Sequence, residues 1–191
     1  MFAPSHHAAM KHAAPVRGEL SVRTIFNILG PLTNPAGAPN QLMGVFHRDL
    51  VGIQARVLQR LGSRHVMVVH GEDGLDEISP SGETLVAELK DGEVREFRLH
   101  PAQFGIEEID LAEIQVDDPD AAKQMLLDSL SGIHSAGRDV IALNAGAAIY
   151  TAGVANSHEA GVRKSLELIA SGAAMDKLDE FVAFTQKLKM E

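Results

Sequence analysis

Cysteine and tryptophan do not occur in this 191-residue chain, and tyrosine occurs once. Without cysteine there is no disulfide framework and no thiolate metal site, a composition compatible with a reducing cytoplasm. Positive charge is also scarce: 17 Lys and Arg face 26 Asp and Glu, for a net charge of -9. A protein that binds nucleic acid by neutralising phosphates carries the opposite balance, so nucleic acid is not expected as a partner. An acidic protein that handles a polyanion needs local help, from a divalent cation or from a few placed cations and backbone amides. Long apolar runs are missing as well. None approaches the roughly 20 residues of a membrane span, and no basic segment leads into an apolar stretch with a cleavage site. A membrane partner and secretion are therefore not expected. What remains is a chain with 45 % apolar residues, enough for the core of one large domain.

Read in order, Phe2-Ala3-Pro4 resembles the end of an extended segment, and the chain is expected to be the later part of a longer protein. Val22, Ile25, Phe26 and Leu29 fall at i, i+3, i+4 and i+7, which predicts an amphipathic helix that Gly30 and Pro31 end. Gln41 to Phe46 reads as a short strand. Asp49 is placed to cap a helix with Leu50, Ile53, Val57, Leu58 and Leu61 on one face and Gly62 as its stop. Val66 to Val69 is an unbroken apolar strand, the pattern of a strand buried on both faces of a parallel sheet covered by helices. Asp91-Gly92 between Thr84–Lys90 and Glu93–Leu99 is a strong hairpin signal. Val94 falls on the opposite face from Phe97 and Leu99, which fits either a bulge or an edge strand. Pro101 to Pro119 reads as acidic, irregular surface. Helices are expected over about 119–131, 138–151 and 157–171, the second rich in Ala and Gly and so suited to close packing, the third capped by Asn156 with Glu159 and closed by Gly172. Leu178, Phe181, Val182, Thr185 and Leu188 line a last helix. The fold class is thus α/β, a mostly parallel sheet flanked by helices with an antiparallel hairpin.

Chemistry concentrates in two places. His70-Gly71-Glu72-Asp73-Gly74-Leu75-Asp76-Glu77 begins where the buried strand ends and puts four carboxylates into six residues. Ligands of open α/β sheets bind at the carboxyl ends of strands, and adjacent carboxylates suit Mg²⁺, whose shell water and phosphate can complete. The plain alternative is a solvated acidic loop. The other place is the amino-terminal stretch with His6, His7, Met10, His12 and Arg17. Its histidines lack the spacing that would put two metal ligands on one helix face, so a zinc site is not expected. Arg17 ends an apolar run, and a planar guanidinium suits a carboxylate, although a surface ion pair is the commoner use of such an arginine.

Together with Arg23-Thr24-Ile25-Phe26-Asn27-Ile28-Leu29-Gly30-Pro31-Leu32-Thr33-Asn34-Pro35 and Gly74-Leu75-Asp76-Glu77, that stretch resembles the second half of the anthranilate phosphoribosyltransferases. The likeness runs over essentially all 191 residues. It implies one phosphoribosyltransferase domain over residues 1–191, without the family's amino-terminal helical domain and first strands. It implies transfer of the phosphoribosyl group of phosphoribosyl pyrophosphate to anthranilate, with Mg²⁺ as cofactor and a homodimer in the full-length family. Asp76 and Glu77 become the Mg²⁺ ligands, Arg17 the anthranilate carboxylate's partner, and His7, Pro31 and Met10 the lining of the anthranilate channel; Met10 stands where some members have an aromatic residue. No catalytic acid or base is assigned. The family's Gly-Thr-Gly-Gly-Asp, Asn-Val-Ser-Thr and Lys-His-Gly-Asn motifs do not occur in this sequence, so the chain by itself is expected to be inactive. Two alternatives stand beside this reading: an inactive fragment, and an enzyme like the pyrimidine nucleoside phosphorylases, which share the fold.

Overall fold

A computed structural model describes residues 25–34 and 36–190. The chain divides into two units, Met1–Ala38 and Pro39–Glu191. In the first, helix α1 (Phe26–Leu29) runs straight into a 3-10 helix, Gly30–Thr33. The expected helix end differs in kind: Gly30 does not adopt a left-handed conformation, and the chain tightens around Pro31 in the first turn of the 3-10 helix instead. The Thr33 hydroxyl donates to the Gly30 carbonyl at 3.1 Å, and Asn34, extended, ends the turn.

The second unit follows the order β1 (Asn40–Gly44), α2 (Leu50–Arg60), β2 (His65–Gly71), β3 (Thr84–Lys90), β4 (Glu93–Leu99), α3 (Pro119–Leu130), α4 (Ala136–Thr151), α5 (His158–Ala170) and α6 (Ala173–Met190). The sheet order is β1-β2-β3-β4. Strands β1 and β2 pair in parallel, whereas β2–β3 and β3–β4 are antiparallel, so among the described residues the sheet is mixed rather than mostly parallel. The uninterrupted Val66-Met67-Val68-Val69 reflects cover on both faces. Met67 and Val69 join Leu143 and Ala147 of α4 in one core cluster. Val66 and Val68, on the other face by strand alternation, are equally buried, and α2 packs on β2 and β3.

Helix α2 is rotated from its expected face. Val51, Ala55 and Leu58 are buried, while Ile53 and Leu61 are 55 % and 61 % exposed. The small residues Gly52 and Ala55 let this face approach the sheet more closely than the bulkier one would. Asp49 is itself helical and makes no side-chain cap; a backbone turn from His47 to Leu50 starts the helix instead. Gly62, at φ 87°, stops it as expected.

The hairpin turns on Asp91 (φ 51°) and Gly92 (φ 80°). Its register runs unbroken from Lys90↔Glu93 to Thr84↔Leu99, so the imperfect alternation of β4 comes from its edge position and not from a bulge. The segment after it is less superficial than expected, because Pro101 and Ile106 are buried and Ile106 joins the core cluster. Asp118, Ser135 and Ser157 cap α3, α4 and α5 by accepting from Ala121, Arg138 and Ala160 N–H. The cap of α5 is therefore Ser157 and not Asn156, since it is the Ser157 hydroxyl that accepts the Ala160 N–H, at 3.2 Å. Gly172, at φ 80°, separates α5 from α6, whose Phe181, Val182 and Leu188 are exposed.

His158, the first residue of α5, is buried against Phe104, and its Nε2 donates to the Leu143 carbonyl at 2.9 Å. Burial pushes its pKa below the ordinary value of 6.5, against the weaker opposing pull of that carbonyl. The unfolded chain therefore binds this proton more readily than the folded one. Stability should fall as pH drops below about 6.5, by up to about 1.4 kcal/mol per pH unit for one such group. Thermal melts between pH 7 and 5.5 should show a smaller loss in His158→Gln than in the unsubstituted chain; equal losses would show that His158 titrates as it does when unfolded.

Candidate cation site at the strand ends

The loop after β2 spends two of its four carboxylates on its own architecture. Asp73 accepts from the Leu75 N–H at 3.0 Å and from the hydroxyls of Ser79 and Ser81. Partial burial works to raise its pKa, but these hydrogen bonds, led by Ser79, outweigh it and hold the carboxyl below its ordinary range. Glu72 lies 2.9 Å from Arg98, which also holds Glu83 at 2.7 Å, and 3.7 Å from Arg48. Gly71 donates to the Leu75 carbonyl at 2.8 Å, and Gly74 takes φ 99° to let the chain double back. A Cβ at Gly71 would fall 2.5 Å from the Asp73 carboxylate and 3.2 Å from the Ser79 Cβ, so a side chain there would press on the group that orders the loop.

Asp76 and Glu77 are left over. Both are exposed, and neither side chain has a hydrogen-bond or salt-bridge partner among the described residues. Partial desolvation raises the Glu77 pKa above the usual carboxylate range, and the neighbouring Asp76 charge raises it further. A cation would remove that repulsion. Two adjacent carboxylates with open sides fit Mg²⁺, which keeps several waters and takes phosphate oxygens as further ligands. Among the described residues no group of three or more His, Cys, Asp or Glu is placed to hold a metal ion.

The pair is held from three sides. A Cβ on Gly44, the last residue of β1, would fall 1.5 Å from the Asp76 carbonyl oxygen, so Asp76 rests directly on the end of that strand. Leu75 is tied back to the end of β2. Ile78, 1 % exposed, has its N–H and carbonyl both bonded to the Asn144 side chain of α4, at 2.9 and 3.0 Å. The carboxylates thus sit at the carboxyl ends of the parallel pair β1 and β2, where open α/β sheets place ligands.

Of the residues singled out from sequence, Asp76 and Glu77 stand exposed in the loop after β2. Pro31 is exposed in the 3-10 helix of the first unit. His7, Met10 and Arg17, with His6 and His12, lie outside the described residues. Gly44 and Asn144 were not singled out. Their signals were faint: a glycine closing an apolar strand, which often marks close backbone approach, and a lone amide in an Ala- and Gly-rich helix.

The sequence profile described as "Glycosyl transferase family, a/b domain" matches residues 1–175. The chain belongs to this glycosyl transferase family. Within it, the chain is similar to the anthranilate phosphoribosyltransferase of Cupriavidus necator, 59 % identical over 189 residues that make up 99 % of this chain and 55 % of the relative. That of Methylibium petroleiphilum is 62 % identical over the same shares. Among solved structures, anthranilate phosphoribosyltransferase from Thermus thermophilus aligns with a TM-score of 0.86 at 41 % identity, covering 94 % of this chain and 53 % of that one. The Saccharomyces cerevisiae enzyme in complex with PRPP and Mg aligns at 0.82 and 31 % identity, over 93 % and 51 % of the two chains. The chain spans about half the length of the curated relatives it matches.

Proposed function

We propose that this chain carries the cation-binding and anthranilate-binding parts of an anthranilate phosphoribosyltransferase, acting with Mg²⁺ in tryptophan biosynthesis in the cytoplasm. The carrying observation is the Asp76–Glu77 pair, without a side-chain partner among the described residues and held at the ends of β1 and β2 in a chain this similar to enzymes of that name. In the reaction the anthranilate nitrogen forms a bond to C1 of the ribose, the bond from C1 to pyrophosphate breaks with its electrons leaving on oxygen, and the amine proton passes to solvent. Asp76 and Glu77 would hold Mg²⁺, which when bound neutralises charge on a pyrophosphate leaving group. Orientation of the nucleophile falls to Arg17 through the anthranilate carboxylate, with His7, Met10 and Pro31 as channel lining; these roles rest on the family resemblance. A homodimer is expected on the same ground.

The test joins this chain to the portion of the Cupriavidus necator enzyme that it does not match. The joined protein should consume anthranilate, followed by its fluorescence, only when PRPP and Mg²⁺ are both present. Phosphorolysis of a pyrimidine nucleoside with no loss of anthranilate would overturn the proposal in favour of the phosphorylase reading. In the same protein Arg17→Ala should weaken anthranilate binding by roughly 2–5 kcal/mol, the usual cost of truncating one partner of a desolvated ion pair. PRPP binding should stay unchanged. Calorimetric titrations showing the reverse would place Arg17 on the other substrate.

A further inference from the structure

We propose that Asn144 is a positioning residue for Asp76 and Glu77, fixing from helix α4 the geometry in which the pair meets a divalent cation; this rests on the reading of that pair as a Mg²⁺ site. The Asn144 Oδ1 accepts the Ile78 N–H at 2.9 Å, and Nδ2 donates to the Ile78 carbonyl at 3.0 Å. One side chain, 66 positions away in sequence, thereby satisfies both backbone polar groups of the residue that follows Glu77. The second Nδ2 hydrogen goes to the Val140 carbonyl one turn back in α4, at 3.0 Å. With both donors and the acceptor engaged, the amide has one orientation, and its rotamer is locked by its own helix.

This arrangement does more than satisfy a buried backbone. Ile78 lies between strands, without a ladder neighbour, and its side chain sits in the core cluster beside Leu143 of the same helix. It is therefore a fixed point immediately after Glu77. The fixed point before the pair is Leu75, bonded to Gly71 and Asp73. Asp76, between them, is seated on Gly44, where there is no room for a side chain. Two like charges in a two-residue span would otherwise turn apart into solvent. A clamp on each side holds their backbone against that tendency, and each clamp comes from a regular element whose position the core sets. Groups that orient metal ligands without touching the metal typically change affinity about 10- to 100-fold when removed.

The experiment titrates Mn²⁺, as an electron-paramagnetic stand-in for Mg²⁺, into the whole chain with inorganic pyrophosphate present, well below the melting temperature. Asn144→Leu keeps side-chain volume and removes all three hydrogen bonds. It should raise the Mn²⁺ dissociation constant about 10- to 100-fold and broaden the bound-ion spectrum, with the far-ultraviolet dichroism unchanged. Asn144→Ser, too short to reach Ile78, carries the test if the leucine variant does not fold. A variant that melts earlier but binds Mn²⁺ with the unsubstituted constant and spectrum would overturn the proposal, since Asn144 would then be purely structural. Asp76→Asn separates the two ideas. If it binds Mn²⁺ as the unsubstituted chain does, or if the unsubstituted chain binds none, the cation reading falls and the proposal with it; if it alone loses Mn²⁺ while Asn144→Leu retains it, only the proposal falls.

Discussion

Gly161→Ala is expected to cost this protein about 3 kcal/mol or more and to leave little folded chain at physiological temperature. A Cβ at Gly161 would fall 2.1 Å from the Gly146 carbonyl oxygen and 2.9 Å from its carbon, and one at Gly146 would fall 2.6 Å from the Val162 backbone nitrogen. The obstruction is backbone on both sides, so α4 and α5 would have to separate along their whole contact. Alanine gains up to about 1 kcal/mol of helix propensity over glycine, which is too little to offset that separation. Gly52 supplies the contrast. The atoms nearest its Cβ would be the ends of Glu96 and Arg56, half-exposed side chains joined by a surface ion pair. Such a pair is worth about 0–1 kcal/mol and can shift aside, so propensity should win and Gly52→Ala should be neutral or stabilising. Thermal melts of the two variants decide it: comparable losses at both positions would mean that packing at the α4–α5 contact is not the controlling term.

Glu77→Gln is expected to abolish stabilisation by Mg²⁺ while leaving the metal-free protein at least as stable. The Glu77 carboxyl is raised above its unfolded value, chiefly by desolvation and further by Asp76. A raised carboxyl favours folding fully only below its unfolded pKa and loses that contribution as pH rises through the folded one. At pH 7 the ionised group is therefore a small liability, which glutamine removes. A ligand present at about a hundred times its dissociation constant stabilises by about 2.7 kcal/mol, and Glu77→Gln should forfeit that increment. Melts at pH 7, with and without Mg²⁺ and pyrophosphate, should show the unsubstituted chain gaining and the variant not gaining. An equal gain in both would take Glu77 out of the site.

Much of this was legible before the structure because it depends on short-range signals. The hairpin follows from Asp91-Gly92, whose residues tolerate the positive φ that such a turn demands. The close α4–α5 contact was announced by glycine and alanine where a helix would otherwise carry bulk. Asp76-Glu77 stood out because a buried apolar strand ends just before it, but the family resemblance, and not the spacing, favoured a cation there over a solvated acidic loop. The missed features are long-range ones. The buried face of α2 runs through Val51, Gly52 and Ala55, and small residues carry little weight in an apolar periodicity although they set how near a helix can come. The antiparallel partner of β2 could not be read from β2, whose burial on both faces says nothing of strand direction. Gly44 and Asn144 reach the site from 32 and 66 residues away, by close approach and by an amide whose neighbours in sequence say nothing of Ile78.

The most direct measurement is the Mg²⁺ dependence of anthranilate consumption by the protein joined to the unmatched portion of the Cupriavidus necator enzyme, compared with its Asp76→Asn, Glu77→Gln double variant. A cation opposite a leaving pyrophosphate supplies several kcal/mol of transition-state stabilisation, and each 1.36 kcal/mol is a factor of about ten in rate. Turnover should therefore rise with Mg²⁺ in the unsubstituted protein and fall by about a hundredfold or more at saturating PRPP and anthranilate in the double variant. Equal turnover with the same Mg²⁺ half-saturation in both would contradict the assignment of Asp76 and Glu77 to the cation.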